Sequence, residues 1–470
     1  MKRTLASPVI PWVPGAVALL AVTVVVVWLW RAPRVVLQLR VPGTDQAPGT
    51  AEGGAKANPV LSGKLILADG RPADLSGSWP RFRGPNLDGI SDDPTPLAKA
   101  WEPSGPKPLW SKDVGEGYAG AAVERGRVYV MDYDLEKRQD ALRCLSLADG
   151  KEIWRYAYPL PVKRNHGMSR TVPAITEKFV VAMGPKCHVV CLDAASGELR
   201  WTLDLVRDHG ATVPPWYAGQ CPLIDNGRAI LAVGGEEALI LAVEIESGRV
   251  VWKAPNPKKW KMTHSSVVPM EFEGQRTYVY CANQGVAGIS AKDGTLFWET
   301  SDWKISIATI PSPVILDEGR IFLSGGYDAG SLMLQLQKEA ERIVPRTLFK
   351  LEPRVFGATQ HTPAYYAGHI YGIRPDGQLV CLALDGKVLW SSGPNLTFGL
   401  GPFLISNGLL FAMNDSGKLT LAEASPLKFT KLAEAQILHG RESWGPLALA
   451  GGRLIARDFT RMVCLDVAAR

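Results

Sequence analysis

The sequence predicts an all-β, eight-bladed β-propeller whose ring is closed by an N-terminal strand and preceded by one transmembrane helix. Three observations carry this. The decapeptide L-S-L-A-D-G-K-E-I-W at Leu145–Trp154 returns as L-D-A-A-S-G-E-L-R-W at Leu192–Trp201, V-E-I-E-S-G-R-V-V-W at Val243–Trp252 and I-S-A-K-D-G-T-L-F-W at Ile289–Trp298, with a shorter copy, L-A-L-D-G-K-V-L-W, at Leu382–Trp390. Each copy is an alternating apolar run, a turn ending in Asp-Gly or Ser-Gly, and a second run closed by Trp, which is a β-hairpin pattern. The tryptophans at 154, 201, 252 and 298 lie 47, 51 and 46 residues apart, the spacing of one propeller blade per repeat.

Taken in order, the chain opens with Lys2 and Arg3, followed by an uncharged stretch from Thr4 to Trp30. Val9–Trp30 is 22 residues, roughly 33 Å as a helix and enough to cross a bilayer. Pro11 and Pro14 fit a first turn, Trp28 and Trp30 fit the far interface, and no small-x-small cleavage site precedes Arg31. Residues 1–40 are therefore expected to be a retained anchor with the rest of the chain exported, a single-pass protein with its propeller on the periplasmic side. Residues 41–77, rich in Gly, Pro, Ala and Thr over their first half, are expected to be a flexible linker. The propeller is expected over 78–470.

Ser78–Ser91, S-W-P-R-F-R-G-P-N-L-D-G-I-S, is dense in turn residues but carries Trp79 and Phe82. It is expected to be an ordered loop packing its aromatics on the first blades, with Arg81 and Arg83 as either surface charges or ligand contacts. Inner strands are expected to begin near Tyr118, Arg170, Tyr217, His264, Thr309, His361, Gly401 and Trp444. Outer strands are expected near residues 152–156, 199–203, 250–253, 296–299, 347–350, 387–390 and 429–432. Seven outer strands for eight inner ones leave one place empty. Pro108–Lys112, P-L-W-S-K, fills it, with Trp110 standing 44 residues before Trp154 and pairing expected with Val463–Asp466. One run, Gln335–Arg342, has helical character, short and polar.

The charge of +6 is concentrated at the N-terminus: residues 1–40 hold five basic and no acidic side chains, leaving 47 basic against 46 acidic in the remainder. That balance lacks the basic face nucleic-acid binding requires. Of seven cysteines, Cys144, Cys191, Cys381 and Cys464 occupy one repeat position in different blades, the place of a small buried apolar side chain. No G-x-S-x-G elbow, P-loop or H-E-x-x-H helix is present.

The repeat and the segment Trp79-Pro80-x-Phe82-Arg83-Gly84-Pro85-x-x-x-Gly89 resemble the PQQ-like (quinoprotein and BamB-like) propeller repeat family, over about residues 79–466. In the enzymes of that superfamily the resemblance implies a floor tryptophan, a Glu, Asn and Asp set on calcium in the axial funnel, and a lid of adjacent cysteines. This chain has no Cys-Cys pair and no C-x-x-C-H haem site. The expectation is a non-catalytic, membrane-anchored scaffold that binds an envelope protein or another envelope component, without cofactor, metal or nucleic acid. The alternatives are a PQQ- and calcium-dependent oxidoreductase and a carbohydrate-binding or carbohydrate-acting propeller.

Any site is expected where inner strands start, because they line the channel. Aligning the repeats at a recurrent proline places Thr171, Gln220, His264, His361 and Trp444 at the leading position, with Tyr118, Arg170, Tyr217, Lys261, Gln360 and Arg441 beside them. These are polar or aromatic groups able to converge on a ligand. Two histidines two blades apart fall short of the three or four ligands a metal wants.

Overall fold

The computed structural model describes residues 12–31 and 57–469. The chain divides into two units, Met1–Gln46 and Ala47–Arg470. In the first, helix α1 runs Val13–Arg31, 19 residues, about 28 Å long, with its described side chains exposed. It covers residues 13–30 of the span expected over Val9–Trp30. Among the described residues no helix is long and apolar enough to cross a membrane. Residues 9–11 and 41–56, which belong to the expected anchor and linker, lie outside the described residues.

The second unit is eight sheets, each built on four antiparallel strands that follow sequence order across the blade in all but the last. Blades 1 to 8 take their inner strands from Ala122–Glu124, Ala174–Ile175, Leu223–Asp225, Val268–Phe272, Val314–Ile315, Ala364–Tyr366, Phe403–Ser406 and Ala448–Ala450. The outer strand of blade 8 is Lys107–Asp113, antiparallel to Arg461–Asp466 with Trp110 opposite Cys464, so the ring closes with the strand expected to close it.

The repeat's glycine and tryptophan act across blades. Gly150, Gly197, Gly248 and Gly294 all have positive φ, and a Cβ at each would lie 2.6–2.7 Å from the ring of Trp110, Trp154, Trp201 or Trp252 of the preceding blade. The indoles lie flat beneath the next blade's turn, where only glycine leaves room. Trp110, Trp154, Trp201 and Trp390 also donate Nε1–H to Leu147, Ala195, Ile245 and Ser425 carbonyls of the following blade at 2.7–3.1 Å. In blade 5 Phe349 takes the tryptophan's place, beside Gly386.

The structure departs from the sequence reading in three places. Gln335–Arg342 is not helical. Gly330–Glu339 and Arg342–Leu351 form a long hairpin, because Leu332, Leu334 and Leu336 alternate with Ser331, Met333 and Gln335 and bury into one core cluster, a period of two rather than 3.6. The stretch expected as linker is ordered from residue 57. Asn58 caps the turn Pro59–Ser62, Val60 is fully buried, and Lys64–Leu67 adds a fifth strand to the outside of blade 1. Finally, Ile90–Ser91 adds a parallel fifth strand inside blade 7, so Ser78–Ser91 reaches well past the first blades.

All seven cysteines are free and buried. Burial pushes the thiols of Cys187, Cys191, Cys221 and Cys464 up to about 12, consistent with inert packing.

Blade 1 holds a buried acid with a pH consequence. Asp140 is fully buried, accepts the Tyr158 hydroxyl, and its Oδ1 has no partner. Burial, aided by the charge of Asp132, pushes its carboxyl up to about 8. An aspartate whose folded value stands above its unfolded one, about 4, takes up a proton on folding. Its stabilisation is therefore full below about pH 4 and falls as pH rises to about 8. Asp140→Asn should flatten this decline. Urea midpoints of variant and wild type should converge at low pH and separate in the variant's favour toward pH 8; parallel curves would refute the assignment.

Candidate functional site

Inner strands in a propeller run along the axis, and the residues just before them line its mouth. Here that mouth opens into a cavity of about 340 Å³, lined by residues at or before the inner strands of all eight blades and by the segment 79–89.

The floor comes from the N-terminal segment, which crosses the axis. Trp79 exchanges two backbone hydrogen bonds with Val123 of blade 1 at 2.8 Å, and Pro80 accepts from Ile175 of blade 2. Arg81 donates to the Ile224 carbonyl of blade 3. On the opposite side, Arg83 donates to the carbonyls of Thr362 and Pro363 in blade 6 at 2.6 and 2.8 Å, and Gly89 accepts from Ile405 of blade 7. Arg83 also binds the carbonyls of Leu87 and Asp88 in its own loop. Burial lowers its guanidinium to about 10, still cationic near neutral pH. Arg81 and Arg83 are thus neither surface charges nor free ligand groups. They tie the plug to blades 3 and 6, which lie far apart in sequence. Gly84, at φ +81, has the Trp79 ring 2.8 Å from where a Cβ would stand, which lets the segment turn sharply on the axis.

The wall is aromatic. Tyr118 stacks on Trp444 with centroids 5.3 Å apart and planes 26° apart, and the Arg170 guanidinium lies 5.0 Å from the Tyr118 ring centre. Tyr118 donates to Glu442 at 2.6 Å. Trp444 donates to Asp415 at 2.7 Å, and Asp415 also accepts from the Leu400 amide. Both carboxylates near the mouth are therefore engaged. Arg170 donates to the carbonyls of Trp216 and His166; burial lowers it to about 10. The His264 ring lies 6.3 Å from Trp216 and the His361 ring 6.5 Å from Phe403. Burial lowers His264 and His361 to about 4, with the Arg170 charge adding to the effect at His264. Both imidazoles are neutral at physiological pH. Neither ring nitrogen of His361 is in a well-formed hydrogen bond. Among the described residues no three His, Cys, Asp or Glu side chains gather as a metal site would require.

Of the residues expected at the site, Tyr118, Arg170, His264, Gln360, His361 and Trp444 line the cavity. The other candidates are held away from it. Thr171 is buried and donates to Met183. Gln220 is buried and brackets the Ala232 peptide. Tyr217 points its hydroxyl to the Lys163 carbonyl. Arg441 lies over the Phe459 ring, and Lys261 is exposed. Trp216 lines the cavity where Tyr217 was expected, because both residues have positive φ and a left-handed pair abolishes the strand alternation on which the alignment relied. Sequence reasoning missed His166, Tyr327 and Phe403, and it read Phe82 and Arg83 as a packing aromatic and a surface or ligand charge without placing them at the channel, where they line the cavity. Tyr327 sits in a turn of blade 5 that no repeat marks.

Comparison with known proteins places this geometry. The family described as outer membrane protein assembly factor BamB matches residues 92–212 and 137–392. Among solved structures, BamB from Moraxella catarrhalis is similar at 13% identity and a TM-score of 0.52, over 77% of this chain and 99% of that one. Quinohemoprotein alcohol dehydrogenase from Comamonas testosteroni is similar at 12% identity and a TM-score of 0.53, over 84% and 81% of the two chains. At such identities the likeness is one of fold. No curated protein matches the sequence.

Proposed function

Because the chain belongs to the PQQ-like propeller family of the outer membrane protein assembly factor BamB, we propose that it is a non-catalytic scaffold that binds a protein partner in the cell envelope. The observation that carries this reading is the donor set of the funnel. A calcium-held PQQ needs convergent acids and amides on the ion and a shield over the ring. The lining of the funnel holds no Asp, Glu or Asn side chain, Glu442 and Asp415 are tied to Tyr118 and Trp444, and the seven cysteines are buried singly in the blades. The residues do not fit that group, and we route no chemistry through it.

Anchorage by the N-terminus, with the propeller exported, belongs to the same proposal. It is supported by the uncharged run Thr4–Trp30 and by the exposed valines and leucines of α1. Cross-linking in intact cells, extraction of membranes with detergent and mass spectrometry of material bound to the full chain tests the proposal. The expected result is one envelope protein recovered near equal stoichiometry from the membrane fraction. Recovery of the chain alone, or from the soluble fraction, would overturn it.

A further inference from the structure

We propose that the axial funnel is a binding site for a small acidic saccharide, a hydroxylated ring bearing one carboxylate. The site goes beyond scaffolding and stands whether or not a protein partner is found.

Four observations lead there. The funnel is a built pocket: the segment 79–89 closes its floor and leaves about 340 Å³ open at the mouth, at the lower end of the range that small-molecule sites occupy and suited to a mono- or disaccharide. Its lining carries the aromatic side chains of Trp444, Trp216 and Phe403, with Tyr118 stacked behind Trp444, and a sugar ring packs its C–H face against such rings. At its side sits His361, 8% exposed, with neither ring nitrogen in a well-formed hydrogen bond and only the Leu400 and Gly401 backbone as near polar neighbours. A neutral imidazole has one N–H to give and one lone pair to receive, and leaving either poorly satisfied in a buried place is costly. A purely apolar ligand would leave that cost standing, whereas a pair of ring hydroxyls removes it. Gln360, beside it on the lining, brings an amide with the same dual capacity.

The fourth observation sets the charge. Arg83 spends its donors on four carbonyls of the floor. Arg170 uses Nε and Nη2 on two carbonyls; among the described residues its Nη1 makes no hydrogen bond, and the Glu442 carboxylate, held by Tyr118, acts on it only through its charge. One desolvated guanidinium with a free edge matches one carboxylate. A planar aromatic polycarboxylate would bring several negative charges to a single available cation, with no metal cluster to take the remainder. No hydrolysis follows from the site, because cleavage of a glycosidic bond needs two free carboxyl groups facing the sugar and Glu442 and Asp415 are both engaged.

Calorimetric titration of the full chain, in a detergent without a sugar headgroup, decides the matter with glucuronate, its methyl ester, glucose, and PQQ with calcium as probes. Glucuronate is expected to bind saturably and at least 10-fold tighter than glucose, with the uncharged ester falling to the level of glucose. Arg170→Gln should erase the preference for glucuronate, and His361→Phe should weaken glucuronate and glucose alike by fivefold or more. The ester comparison on the unaltered chain gives the answer even if a variant fails to fold. Equal affinity for glucuronate and its ester, no binding of any sugar, or binding of PQQ with calcium in preference to glucuronate would each overturn the proposal.

Discussion

Deletion of residues 1–56 should leave a folded propeller, whereas deletion of residues 1–115 should leave a chain that aggregates or unfolds without cooperativity. The first cut keeps Asn58, which caps the turn Pro59–Ser62, and Val60, which is fully buried. The second removes the outer strand of blade 8, the plug across the funnel and the fifth strands of blades 1 and 7 together. Losing Lys107–Asp113 exposes the full edge of Arg461–Asp466, a template for pairing with another chain. It also removes Trp110, 7% exposed, from beneath the Gly150 turn of blade 1, the contact that joins the two ends of the ring. Trp110→Ala alone should cost about 3–5 kcal/mol, the range for deleting a large buried aromatic. Circular dichroism melts and size-exclusion chromatography of both truncations read the result. Equal cooperative melting would show that the strand does not close the ring.

Gly197→Ala should be among the most destabilising single substitutions in the protein. Its φ is +79, and an added Cβ would stand 2.7 Å from the Trp154 ring and 2.8 Å from Leu65. The left-handed backbone costs a residue with a Cβ about 1–2 kcal/mol, and forcing a methyl into the packed turn adds about 1–3 kcal/mol. Gly227 separates the two contributions, because it has φ +71 but nothing within 4 Å of its Cβ position. Gly227→Ala should therefore show the backbone cost alone. Urea midpoints at constant m-value measure both. Equal losses at the two positions would mean that the stacked indole contributes nothing, against the account of why glycine and tryptophan recur together.

The repeat was legible because its chemistry is local. A turn that needs Gly and a strand end that needs Trp recur at blade spacing, and the missing outer strand could be inferred by matching seven to eight. The residue that replaces Trp in blade 5, Phe349, was legible only as a degenerate strand. The floor of the funnel was not legible, because the partners of Arg83 are the carbonyls of Thr362 and Pro363, and backbone acceptors leave no mark on sequence. The site was half legible for a related reason. Tyr118, Arg170, His264 and His361 precede regular strands and fall where the alignment puts them, while Trp216 displaces Tyr217 through two consecutive left-handed residues. Gln335–Arg342 misled through its polar composition, although its leucines keep a strict alternation that the long hairpin of blade 5 buries.

Whether the funnel supports oxidation is the question on which the scaffold reading turns, and a single assay addresses it. The full chain, incubated with PQQ and calcium, is tested for dye-linked oxidation of a panel of alcohols and aldoses while its tryptophan fluorescence is followed. The account predicts no turnover and no saturable quenching, since the mouth carboxylates Glu442 and Asp415 are already held by Tyr118 and Trp444. Turnover that depends on PQQ and disappears in Trp444→Ala would contradict it and place an oxidoreductase centre in the channel.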